Sequence, residues 1–155
     1  MNLNTPRYIW SDAWLLTSIY GASTGGGEPT LSRIIGVGDF LNHAIFTLSE
    51  LNGGLNRLKR GGLIEIEYLR YPLTEAGRKI TEEAGKRAGV RKHMENIRNR
   101  LHANPWAPNL DPNAVDDLTE PTIHVSDSDF RKAFDEYHMG LKRKVNANKK
   151  NRPRK

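Results

Sequence analysis

The stretch Phe46-Thr47-Leu48-Ser49-Glu50-Leu51-Asn52-Gly53-Gly54-Leu55-Asn56-Arg57-Leu58-Lys59-Arg60-Gly61-Gly62 carries the sharpest start and stop signals in the chain. Thr47 stands as the N-cap, and Glu50, three residues on, is its capping-box partner. Phe46 and Leu51 are placed as a hydrophobic staple across the first turn. Leu48, Leu51, Leu55 and Leu58 then share one narrow face at helical spacing, while Ser49, Gly53, Asn56, Arg57 and Arg60 point the other way. Gly61 and Gly62 stop the helix, because glycine tolerates the left-handed backbone of a helix end. A helix over residues 48–60 with one packed and one open face is therefore expected. Gly53 and Gly54 each cost on the order of 1 kcal/mol relative to alanine in a helix interior, which implies that something approaches that backbone closely.

Upstream, Leu15, Leu16, Ile19, Tyr20 and Ala22 form one broad face of a first helix over 12–22, with Ser11 as its N-cap. Gly25, Gly26, Gly27 and Pro29 break that pattern and read as a loop. A second helix starts from Thr30, with Leu31, Ile34, Ile35, Gly38, Leu41 and Ile45 along one stripe and Gly38 permitting close helix approach. Phe40 projects from its opposite face, to pack on the first helix or a partner subunit, and Asp39 and His43 are spaced for a polar pair. Downstream of the glycine stop, residues 63–67 alternate apolar and acidic side chains from Ile64 onward like a half-exposed strand, and 70–73 return as its partner. Thr74 then caps a helix with Ala76, Ile80 and Ala84 as its apolar stripe.

The order helix, helix, capped helix, Gly-Gly stop and two-strand wing, followed by Pro72-Leu73-Thr74-Glu75-Ala76-Gly77-Arg78, resembles winged helix-turn-helix bacterial regulators of the PadR and MarR type. The Leu55, Leu58, Gly62, Leu63, Ile64 segment and the Leu-Thr-Glu-x-Gly-Arg segment carry the likeness, which covers about half the chain. The resemblance implies a mainly α fold with a small two-stranded β wing, plus C-terminal helices. It also implies that the helix over 48–60 enters the major groove of double-stranded DNA. On that basis Ser49, Gly53, Asn56, Arg57 and Arg60 are assigned to the groove and Arg70 to the wing. Asn and Arg are the side chains that pair with adenine and guanine edges or take phosphates. The wing departs from that pattern, since Glu65 and Glu67 would face phosphates with Arg70 as compensation.

Charge is segregated. The net charge of the 155-residue chain is +6, yet residues 1–85 hold eight Lys and Arg against nine Asp and Glu, and 86–155 hold sixteen against nine. The division of labour expected is a winged domain over 1–85 that orients and basic C-terminal segments that supply phosphate affinity. A basic helix over 86–104 places Val90, Met94, Ile97 and Leu101 at the spacing of a coiled-coil seam. An acidic, Pro-rich linker over 105–125 follows. A last helix over 126–144, opened by Ser126 with Asp129, repeats the seam in Phe130, Phe134, Tyr137 and Leu141. The two seams are expected to pair, either between subunits of a homodimer or within one chain as an antiparallel hairpin. Residues 145–155 read as a disordered basic tail.

Several chemistries are excluded. There is no cysteine, which removes disulfides and thiolate sites and fits a reducing, cytoplasmic setting. The apolar run over 8–22 is too short and too polar to span a membrane. His43, His93, His102, His124 and His138 form no pair at metal-ligand spacing. Gly25-Gly26-Gly27 lacks the Gly-Lys-Ser/Thr ending of a phosphate loop, and Gly36-Val37-Gly38 lacks the third glycine of a dinucleotide site. The run from Asp111 has Asp116 and Thr122 where a calcium loop needs glycine and glutamate. No catalytic motif and no cofactor is expected. A DNA-binding regulator is the preferred function, with a winged-helix adaptor that binds another protein as the second.

Overall fold

Residues 8–85, 89–103 and 123–151, which the computed structural model describes, form six α-helices: α1 (Trp10–Ser23), α2 (Leu31–Asn42), α3 (Leu48–Arg60), α4 (Glu75–Glu83), α5 (Val90–Ala103) and α6 (Asp127–Lys150). The first of these differs from the sequence expectation in a way that organises the rest. From Ser11 to Tyr20 α1 is buried on every side, with Asp12 and Ser18 as deep as Leu15 and Ile19, and the helix packs against α2, α3, α4 and α5. The hydroxyls of Thr17 and Ser18 are satisfied within the helix, Thr17 donating to the Ala13 carbonyl at 2.6 Å and Ser18 to that of Trp14 at 2.7 Å. Short polar side chains that bond back to the preceding turn do not mark a solvent face. Ser11 is not the N-cap: the helix starts at Trp10, and the Ile9 N–H donates to Asp12 Oδ2 at 2.9 Å.

The cap of α2 is Thr30, and Leu31, Ile34, Ile35 and Gly38 are buried as their stripe predicts. The helix ends at Asn42 with His43 in the left-handed region (φ 52°), so Ile45 lies beyond it. Gly38 does lie in a close contact, but with the ring of Phe46. Trp14 Nε1 donates to the Gly38 carbonyl at 3.0 Å, and the Trp14 ring stacks on Phe46 with centroids 3.7 Å apart. Phe40 is not buried against α1, being 74% exposed. The capping box of α3 is formed, with Glu50 N–H donating to Thr47 Oγ1 at 3.1 Å and Thr47 N–H to Glu50 Oε2 at 2.8 Å. The left-handed stop falls to Gly62 alone (φ 71°), Gly61 remaining right-handed.

The two-stranded wing is not formed. Among the described residues there is no β-strand, and the segment after α3 has only isolated antiparallel bridges, Ile64 with Leu73, Glu67 with Arg70 and Thr30 with Arg70. The reason lies in where the backbone bonds go. Leu69 turns left-handed (φ 56°), Pro72 has no N–H to give, and the Tyr71 N–H donates to the Pro29 carbonyl at 3.1 Å. Leu31 N–H likewise donates to the Leu69 carbonyl at 3.1 Å. The two arms do exchange backbone bonds, Glu65 N–H donating to the Pro72 carbonyl at 2.9 Å and Glu67 N–H to that of Arg70 at 3.0 Å. But Pro72 returns none and the outer edge of the returning arm bonds to the start of α2, so only isolated bridges form.

Thr74 caps α4 as expected, but the buried side of that helix is Gly77, Ile80 and Thr81, and Ala76 is exposed. Gly77 sits there because the Leu63 carbonyl occupies the space of a Cβ. Within the chain the two C-terminal seams do not pair with one another. Met94, Ile97 and Leu101 of α5 are buried where it packs on α1 and α4, with Val90 left 44% exposed. α6 instead lies along α2, where Tyr137 crosses Gly36, at which a Cβ would stand 2.9 Å from the ring. Phe130, Phe134 and Tyr137 pack at the edge of the core around buried Ala133. One continuous buried cluster contains residues of all six helices together with Tyr8, Leu63, Ile64, Tyr71 and Val125. It runs across the boundary expected at residue 85.

Candidate nucleic-acid interface

Helix α3 holds most of the residues assigned to a DNA groove, and its environment divides them. Ser49 is exposed, and Gly53 and Arg60 are half-buried, so an open edge survives. Asn56 is only 5% exposed and belongs to the interior. Arg57 reaches back to α1, where its Nε and Nη2 donate to the two carboxylate oxygens of fully buried Asp12 at 2.7 and 2.8 Å. This is the bidentate arrangement that a planar guanidinium makes best. Both glycines serve the same contact. A Cβ on Gly54 would stand 2.7 Å from Leu15 Cδ2, and one on Gly53 would stand 3.2 Å from the Arg57 guanidinium. At Gly54, then, what approaches the α3 backbone is α1, while at Gly53 it is the helix's own Arg57.

The other flank of α3 is covered by the chain entering α6. The Asn52 Oδ1 accepts the N–H groups of His124 and Val125, each at 2.8 Å, and its Nδ2 donates to the Val125 carbonyl at 3.0 Å. One amide side chain thus satisfies three backbone groups of a segment 72 and 73 residues away in sequence. Burial, reinforced by the nearby Lys59 charge, holds the His124 imidazole below its ordinary pKa. Neither Asp12 nor Asn52 was singled out from the sequence. Asp12 did leave a signal, a carboxylate inside an apolar run that had to find a cation. Asn52 left none, because an asparagine on a helix is equally at home in solvent.

Arg70, assigned to the wing, makes an exposed ion pair with Glu28 at 3.3 Å, an interaction worth little in water. Asp39 does not pair with the His43 side chain. Its carboxylate accepts from the Tyr137 hydroxyl at 2.5 Å, and burial, then this bond and the Asp39 charge, push that hydroxyl's pKa up to about 12. His93 is structural: buried between helices, its Nε2 lies 2.8 Å from the Thr81 carbonyl and its ring meets Tyr20 edge-on. No group of described residues could hold a metal ion.

The basic surface lies at the far end of α6. That helix runs in the same direction as α2, with Asp129, Lys132 and Ala133 beside Thr30 and Ser32, and Tyr137 beside Gly36 and Asp39. Every residue from 141 to 150 is exposed. Helix therefore continues through a region expected to begin a disordered tail at 145, while residues 152–155 and most of the acidic linker, 105–122, lie outside the described residues. The overhang presents Lys142, Arg143, Lys144, Lys149 and Lys150 around its circumference. Residues 142–155 hold eight of the chain's 24 Lys and Arg and none of its 18 Asp and Glu, so the first 141 residues carry 16 against 18, a net −2.

No family model, no curated protein and no solved structure matches the chain. Among the described residues no helix is long and apolar enough to cross a membrane.

Proposed function

We propose that the protein binds double-stranded DNA mainly through its phosphate backbone, with the overhanging end of α6 as the principal contact and the open edge of α3, Ser49, Gly53 and Arg60, orienting it. The observation that carries this reading is the separation of charge: a cationic helical arm, exposed from residue 141 to 150, on a body of net −2. A helix lined with cations on several sides displaces counterions from a polyanion whichever way it lies, so its affinity is salt-dependent and indifferent to sequence. Base reading by α3 is curtailed, because Asn56 is buried and Arg57 is committed to Asp12. A reducing, cytoplasmic setting belongs to the same reading and rests on the lack of cysteine.

A second reading, a helical adaptor that binds another protein, is favoured by Phe40 and Tyr68, which are 74% and 83% exposed. Anisotropy of labelled duplexes at several salt concentrations separates the two. The full chain is expected to bind with a steep negative dependence of log K on log salt, and truncation after Leu141 to weaken binding by about 10³ or more near 0.1 M salt while flattening that slope. Unchanged affinity and slope in the truncated chain would refute the arm's role. Absence of duplex binding by the full chain would leave the adaptor.

A further inference from the structure

Between the start of α1, the end of α2 and the outer side of α5 lies an open cleft of about 660 Å³, with no residue of α6 in its lining. Its volume falls within the range of small-molecule sites, roughly 300–1,000 Å³. The floor is apolar, made by Leu41 and Met94. Trp10 forms one wall, 43% exposed, with its ring tilted against Trp14 at a centroid distance of 5.8 Å. Arg91 and Arg98 stand on the opposite wall. They are seven residues apart on α5 and so share one face, about 10 Å apart along the axis.

The charge of this cleft is unbalanced. Neither Arg91 nor Arg98 forms an ion pair with a described residue, whereas the carboxylate on the same rim, Glu95, is bonded to Lys92 Nζ at 3.2 Å. Lys79, Arg100 and Arg131, by contrast, each sit beside an acidic partner. An exposed tryptophan costs stability when it could have been buried, and two guanidiniums held over the same apolar floor repel one another. A planar ring bearing an anionic group relieves both, stacking on the indole while a guanidinium takes the anion in a forked pair.

We infer that this cleft is a binding site for a small planar aromatic anion, its ring on Trp10 and its phosphate or carboxylate between Arg91 and Arg98. The test is calorimetric titration of the full chain with four probes: adenosine monophosphate, 2-naphthoate, adenosine and inorganic phosphate. Binding of either aromatic anion, about tenfold tighter than both adenosine and inorganic phosphate, is expected. Which of the two binds more tightly distinguishes a phosphate ligand from a carboxylate one. The variant R91Q with R98Q and the variant W10L should each weaken the preferred probe by about tenfold, with thermal unfolding showing that both remain folded. Four probes equal in affinity, no binding at millimolar concentration, or unchanged binding in the folded variants would overturn the assignment.

Discussion

At the scale of single residues, the Asp12 and Arg57 pair decides how α1 and α3 meet. Asp12 has no exposure and accepts from Arg57 twice and from the Ile9 N–H once, so its removal strands a guanidinium in a site that is 17% exposed. Asp12→Ala is expected to lower stability by about 3 kcal/mol, read from the urea midpoint; a loss below about 1 kcal/mol would place the pair among screened surface bridges. His124 gives a second residue-scale prediction. Its pKa in the fold lies below the ordinary 6.5, chiefly through burial and then through Lys59, so the unfolded chain takes up the proton more readily. The stabilisation is complete above about pH 6.5 and is lost as pH falls through the lower folded value. Stability of the native chain should therefore decline from pH 7 to 5 more than that of His124→Gln, and parallel pH profiles would refute this.

At the scale of elements, the informative contact is the clamp between α3 and the segment leading into α6. Three bonds from Asn52 to backbone at residues 124 and 125 replace bonds those groups would otherwise make to water. Without the amide they are left inside a contact where Val125 is fully buried. Asn52→Ala is expected to cost about 2 kcal/mol or more. It should also accelerate amide hydrogen exchange at His124 and Val125 well ahead of exchange in α1, whereas uniform acceleration would mean that the clamp is no separate unit. The caps of these elements were legible beforehand at Thr47, Thr74 and Ser126, because an N-cap is a local bond between residues three apart. The wing was not, because its arms bond at Glu65 with Pro72 and at Glu67 with Arg70, but Pro72 has no N–H to return and Leu69 turns left-handed, so only isolated bridges form.

At the scale of the whole molecule, three tyrosines tie different regions to one pH response. Burial pushes the hydroxyls of Tyr8, Tyr71 and Tyr137 up to about 12, aided in turn by Asp12, Asp129 and Asp39. The neutral form is favoured in the fold, so the unfolded chain loses these protons first. Stability should hold below about pH 10 and fall steadily between pH 10 and 12. Unfolding followed by circular dichroism across that range checks it, and a transition insensitive to pH up to 12 would show that the phenols are not coupled to the fold. The charge asymmetry belongs to this scale as well. With residues 142–155 removed the chain would change from net +6 to net −2, and because the residues from 141 to 150 are all exposed, their removal should leave the melting temperature within a few degrees of its original value.

The sequence by itself determined what depends on neighbours a few residues apart. It marked the span of α3, the start of α2, α4 and α6, the apolar side chains of α5 and the cationic run that ends the chain. Tertiary structure decided what each helix face meets. An i, i+4, i+7 stripe specifies that a face is buried but not against what, so the seams of α5 and α6 went to α1 and α2 rather than to each other. A polar face is equally silent. Asn56 and Arg57, placed on the open side of α3 by helical geometry alone, were claimed by the interior and by a carboxylate 45 residues away. Ser49, Gly53 and Arg60 keep the edge that remains. The physical reason is the same throughout: periodicity encodes the amount and direction of burial, while partners are chosen by shape, by charge and by which backbone groups still need a bond.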